Sequence, residues 1–254
     1  MTSDSIPVRA LARRIPVRRA PGRRFLLGLA GPPGAGKSTL AQRLRDELAA
    51  AGHPAAVAPM DGYHLRNEIL RARGALDRKG EPDTFDAAGF VADLRMLRQA
   101  PIGEPVPWPL FDRAVDEPTE GGLIVRDEQI VLVEGNYLLL TDAEAPGWSA
   151  VRGLLDACWY LDAPRETLTE RLVRRHLAGG RTPDAAEVKV RDSDLRNADL
   201  IAVSRERADL TLSAAGDGYR IGQPEHADPD IADGGRGPSL QPNREHGTGQ
   251  PRPK

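Results

Sequence analysis

The 254-residue chain contains a single cysteine, Cys158, so no intramolecular disulfide is available to it. Cys158 lies in the apolar run Cys158-Trp-Tyr-Leu161 and reads as a small buried hydrophobe, which fits a reducing cytosol. Aromatic residues make up only 4%, so the core has to be packed with Leu, Val, Ile and Ala. Neither sign of charge dominates: 35 basic residues face 37 acidic ones, which argues against a protein that coats nucleic acid. No apolar run approaches the roughly 18 residues of a transmembrane helix, and the first residues lack the apolar core of a signal peptide. The five histidines show no metal-ligand spacing, and no internal repeat is visible. A cytoplasmic protein with neither a nucleic-acid nor a membrane partner is the expectation.

With 40% hydrophobic and 28% charged residues, the composition can support a sizeable core. Residues 1–23 are basic and broken by Pro7, Pro16 and Pro21; they read as a flexible, solvated leader with a short helix around Ala10 to Ile15, the other reading being a transit peptide or an anionic-surface anchor. From Asp217 onward Gly, Pro, Asp and Arg dominate, so 217–254 reads as a disordered tail. The domain between them, 24–216, alternates short apolar runs with amphipathic ones. Strands are predicted at Phe25 to Ala30, Ala55 to Pro59, Gln129 to Val133, Cys158 to Leu161 and Ala208 to Ser213. Helices are predicted at Ser38 to Ala51, at Phe85 to Arg98 with Leu94, Met96 and Leu97 in the core, at Pro164 to Ala178, and at Asp184 to Ile201. Such alternation implies an α/β fold, a mainly parallel sheet with helices on both faces.

Gly31-Pro32-Pro33-Gly34-Ala35-Gly36-Lys37-Ser38 matches the phosphate loop G-x-x-x-x-G-K-[ST], and Thr39 follows it. Chance would place its four fixed positions in such a chain about once in a hundred sequences. The loop also sits where its chemistry needs it, between an apolar strand and an amphipathic helix. Glycines let successive N–H groups turn towards phosphate oxygens, and the helix adds the positive end of its dipole. Lys37 then reaches the β- and γ-phosphates of ATP, and the Ser38 hydroxyl ligates Mg²⁺. A second apolar strand ends in an acid, Ile130-Val-Leu-Val-Glu134, whose carboxylate suits the metal's water shell or the nucleophile. No Asn-Lys-x-Asp guanine reader is present, which disfavours a nucleotide switch.

Met60-Asp61-Gly62-Tyr63-His64-Leu65-Arg66-Asn67 resembles the corresponding segment of the uridine kinase, phosphoribulokinase and pantothenate kinase group of P-loop kinases. Val131 to Asn136 is similar to that group's strand-Glu-Gly segment. Arg171, Arg174 and Arg181, around His176-Leu-Ala-Gly179-Gly180, resemble its lid. The segments Arg78 to Asp86, Pro109 to Arg113 and Gly179 to Arg181 resemble the bacterial nucleoside/fructose-kinase-like branch. The resemblance spans about residues 24–214. It implies the three-layer P-loop fold with a helical lid, in an enzyme that uses ATP and Mg²⁺ to phosphorylate a small molecule's hydroxyl; a homodimer is common in the group. It further implies that Asp61 aligns the acceptor hydroxyl, with Lys37 and Glu134 as its catalytic companions and Arg174 and Arg181 on the ATP. Tyr63, His64, Asn67 and Arg113 are the candidate substrate contacts. Arg113, beside Asp112, reads equally as an anion clamp or as half of a surface ion pair. A nucleotide-binding partner protein without catalysis is the alternative reading.

Overall fold

The computed structural model describes residues 5–16 and 22–222. Along the chain run α1 (Val8–Ala12), β1 (Phe25–Ala30), α2 (Lys37–Ala50), β2 (Ala55–Pro59), α3 (Asn67–Ala72) and α4 (Ala87–Gln99). A hairpin, β3 (Val106–Asp112) and β4 (Glu117–Val125), precedes β5 (Ile130–Glu134), α5 (Ala150–Leu154), β6 (Ala157–Asp162) and α6 (Arg165–Ala178). The chain closes with α7 (Pro183–Lys189), α8 (Leu195–Ala202), β7 (Leu210–Ala215) and β8 (Gly218–Gly222).

β1 and β5 are apolar along their whole length because they sit mid-sheet with both faces covered, and every residue of each is buried. The period of two then sends alternate side chains to opposite layers. Leu26, Val131 and Val133 join the cluster holding Trp108 and Trp148, whereas Leu27, Leu29 and Leu132 join the one formed with α1 and α2. Strand order is β2-β5-β1-β6-β7-β8, parallel except for the last pair. Glu134 is in register with Leu29 on one side and Pro59 on the other. The ends of β1, β2 and β5 therefore share one edge, the carboxyl end where open α/β sheets bind ligands.

Several expectations are revised. Residues 5–16 are not a solvated leader: Val8, Leu11, Ala12 and Ile15 are buried in the α1–α2 layer. The body does not stop at 216, since β8 pairs antiparallel with β7 and Tyr219 bridges Ile6. The rest of the expected tail, 223–254, lies outside the described residues, as do 1–4 and 17–21. Phe85 is not helical; Asp86 caps α4 by accepting from Gly89 N, which leaves Phe85 extended and bridged to His64. Met96 is 46% exposed rather than core, because it falls on the outer face of α4. The predicted helix from Asp184 is two, α7 and α8, joined by a π turn at Val190–Asp194. No described helix is long and apolar enough to cross a membrane.

Candidate active site

The phosphate loop leaves β1 through Gly31 and enters α2 through Gly36, both with positive φ. At Gly31 a β-carbon would overlap the Leu161 carbonyl, so only glycine lets the loop pass this close to β6. Lys37 folds back over the loop. Its Nζ donates to Gly31 O and Pro32 O at 2.9 Å each and to Asn136 Oδ1 at 2.7 Å. Burial pushes its pKa down to about 8, against the opposing pull of Glu134 and Asp61. The Ser38 hydroxyl donates to Glu134 Oε1 at 3.0 Å. Glu134 is itself held above the usual carboxylate range, by burial first and by Asp61 second, with Lys37 and the Ser38 hydrogen bond opposing.

A 1980 Å³ cleft runs over this edge. Pro33 through Thr39, Asp61, His64, Asn67, Arg113, Glu134, Arg174 and Arg181 all line it, so sequence positions far apart converge on one space. Asp61 stands on a 3₁₀ turn directly after β2 and pairs with Arg113 Nη2 at 3.4 Å. Arg113 thus meets Asp61 across the cleft rather than its neighbour Asp112, whose carboxylate accepts from Ala114 N. Asn67 is fixed by Lys79, whose ammonium donates to Asn67 Oδ1 at 2.7 Å and to Asp116 Oδ2 at 2.9 Å.

Tyr63 does not line the cleft. Its ring packs edge-on against Phe90 and Trp108, and its hydroxyl donates to Asp93 at 2.8 Å. Trp108 is core as well, its indole N–H donating to Pro59 O. The chain leaves the 3₁₀ turn at His64, so Tyr63 packs into the core while His64 lines the cleft.

On the lid side, the guanidinium groups of Arg174 and Arg181 line the cleft with no hydrogen bond or ion pair among the described residues. Arg171 donates to Gly34 O and Ala35 O, tying α6 to the phosphate loop. His176 Nε2 sits 2.6 Å from Asp194 Oδ2. Several participants were not singled out as site residues in the sequence, although four of them lie in segments that carry the kinase resemblance. Asn136, Lys79, Phe85 and Phe111 reach the site through the tertiary fold, and so does Lys189, whose ammonium donates to Asp77 O and Lys79 O. Only the run Glu134-Gly-Asn136 could have flagged Asn136.

A parallel sheet, a phosphate loop opening α2 and an acid ending the adjacent strand define a P-loop nucleotide-binding enzyme. The family profile "MeaB: Methylmalonyl Co-A mutase-associated GTPase MeaB" matches residues 6–65, under half the chain, from α1 through the phosphate loop to the turn after β2. Longer relatives speak more specifically. "Uncharacterized protein YggC" of Escherichia coli is 35% identical over 202 residues, covering 78% of this chain and 81% of that one. "Putative uridine kinase C227.14" of Schizosaccharomyces pombe is 31% identical over 204 residues, covering 74% and 83%. The crystal structure of a "putative fructose transport system kinase" from Silicibacter sp. TM1040 is 42% identical, with TM-score 0.73, covering 81% and 98%. The chain belongs to this family of P-loop kinases, related to uridine and pantothenate kinases, and is a phosphotransferase that uses ATP and an alcohol acceptor.

Proposed function

We propose that the enzyme phosphorylates a hydroxyl of a small polar metabolite, with Asp61 aligning the attacking oxygen. The observation that carries this reading is that Asp61 shares a cleft with Lys37, Ser38 and Glu134, near enough for its charge to act on both Lys37 and Glu134.

In this reading Lys37 leaves its loop carbonyls for the β- and γ-phosphates, while the loop amides cradle them. The residues fit a magnesium ion. Ser38 Oγ and the Glu134 carboxylate are hard oxygens 3.0 Å apart, and the carboxylate stands beside a second acid that a divalent cation would relieve. Ser38 would hold it directly and Glu134 through water; when bound, it neutralises charge on the phosphates. Asp61 accepts the proton of the substrate hydroxyl as that oxygen attacks the γ-phosphorus and ADP leaves with the electrons of the broken P–O bond. Arg174 and Arg181 offer unengaged guanidinium groups to the transferring charge. Arg113 is 67% exposed, so its ion pair with Asp61 is worth little and opens readily for an acceptor.

Sugars, nucleosides and pantothenate-like alcohols are the acceptors to screen by ADP release. With the acceptor that emerges, Asp61→Asn is expected to bind ATP nearly as wild type does while turnover falls by about a hundredfold or more. Equal turnover in the two proteins removes Asp61 from the mechanism.

A further inference from the structure

Lys189 is the last residue of α7, and its ammonium spends all three of its donors on other segments. Nζ donates to Asp77 O at 2.9 Å and to Lys79 O at 3.2 Å, residues 112 and 110 positions away, and to Ser193 Oγ at 3.1 Å. Ser193 belongs to the π turn, whose next residue, Asp194, meets His176 and Arg175 of α6. Lys189 therefore stands where the lid side of the cleft touches the 77–80 segment. That segment governs the opposite wall. The Lys79 ammonium engages Asn67 Oδ1 and Asp116, and lies 4.9 Å from the centre of the Phe111 ring. The far end of the segment is held separately, since Gly80 O accepts from the Tyr137 hydroxyl and from Asn197 Nδ2. Arg181 shares the cleft with Lys189, and its charge works against the ammonium. Burial pushes the Lys189 pKa down first and Arg181 adds to the fall, while Asp194, Glu81 and Asp77 oppose it.

We propose that Lys189 is a positioning residue that ties the 77–80 segment to the lid side, so that a triphosphate engaged by Arg181 tightens the segment that carries Lys79. The inference rests on the reading that Arg181 serves ATP. Phosphate oxygens beside Arg181 cancel its push on Lys189, and the charge-assisted hydrogen bonds to Asp77 O and Lys79 O strengthen. The coupling is reciprocal, so an ordered segment also holds the nucleotide more tightly.

The backbone amides of Arg78, Lys79, Gly80, Glu81 and Thr84 are hydrogen-bonded locally, so their hydrogen exchange reports opening of the segment. Exchange is followed in the full chain with and without Mg·AMP-PNP, for wild type, Lys189→Met, Lys189→Arg and Arg181→Met, with the phosphate loop at 31–39 as internal reference. In wild type the nucleotide is expected to slow exchange at 31–39 and, by about fivefold or more, at 78–84. Lys189→Met should keep the slowing at 31–39 and lose it at 78–84, and Lys189→Arg, which keeps the cation, should retain both. Arg181→Met removes the opposing charge, so its 78–84 segment should exchange slowly with no nucleotide present. Three results overturn the inference and leave the nucleotide reading intact: slowing confined to 31–39 in wild type, undiminished slowing at 78–84 in Lys189→Met, or a wild-type rate at 78–84 in nucleotide-free Arg181→Met. Slowing at neither segment in wild type overturns the nucleotide reading as well. The wild-type and Arg181→Met measurements decide the matter even where Lys189→Met fails to fold.

Discussion

Lys37 is a cation held away from water, 7% exposed, with three oxygens around its ammonium. Burial pulls its pKa from an ordinary 10.5 to about 8. Between those values the unfolded chain holds a proton that the folded protein has released, so stability rises with pH through that window. Below it the burial cost is fully present, about 3 kcal/mol at most. Lys37→Met is therefore expected to weaken ATP binding while raising the Tm of the nucleotide-free protein at neutral pH. The gain should shrink as pH climbs from about 8 towards 10.5. Parallel melting series for both proteins check this, and a Met variant that melts lower than wild type at pH 7 contradicts the burial cost. In the role proposed for Lys37, function opposes stability, since a phosphate would suit this buried cation better than the fold does.

At the scale of elements, the hairpin β3–β4 brings Phe111 and Arg113 to the cleft as the proposed acceptor wall, and its fit depends on Gly62. A β-carbon there would overlap the Pro109 carbonyl and come within 3.0 Å of Leu110 N, although the φ of Gly62 is not in the left-handed region. Space, not conformation, demands glycine. The Trp108 indole donating to Pro59 O clamps the hairpin to the same strand end. Gly62→Ala should destabilise the protein by about 1–3 kcal/mol through overpacking, and it should raise the acceptor's KM more than that of ATP. Unchanged Tm and unchanged KM values would mean that the hairpin does not position the acceptor wall. This element was illegible in the sequence. β4 carries Gly121 and Gly122 with Pro118, and its exposed face has few apolar residues to mark an alternation. The helix predicted from Phe85 is present as α4 but begins at Ala87, because periodicity cannot see that Asp86 caps it and frees Phe85 for His64.

Across the whole molecule, the two ends of the described body meet. Ile6 N donates to Tyr219 O at 2.8 Å and Tyr219 N to Ile6 O at 2.9 Å, joining the first described residues to β8. Val8, Leu11 and Ile15 bury apolar area worth about 1.5–3 kcal/mol each as an upper figure. Removing residues 1–16 is therefore expected to lower Tm by several degrees, and so is ending the chain after Gly216. Because each truncation already breaks the Ile6–Tyr219 bridge, the double truncation should cost less than the sum of the two. Calorimetry of the three shortened proteins checks this; full-length Tm values in all of them would detach both ends from the body.

The sequence by itself determined the phosphate loop, the strands that flank it, the acid ending β5 and the Asp61 turn, because each is specified by residues close together along the chain and by their period. Which of Tyr63 and His64 faces the cleft, that Arg113 pairs with Asp61, and that Lys79 fixes Asn67 were decided only by the tertiary structure. Those contacts span up to 52 residues of sequence. They depend on how the hairpin and α4 settle against the sheet edge, and no local pattern of side chains encodes that packing.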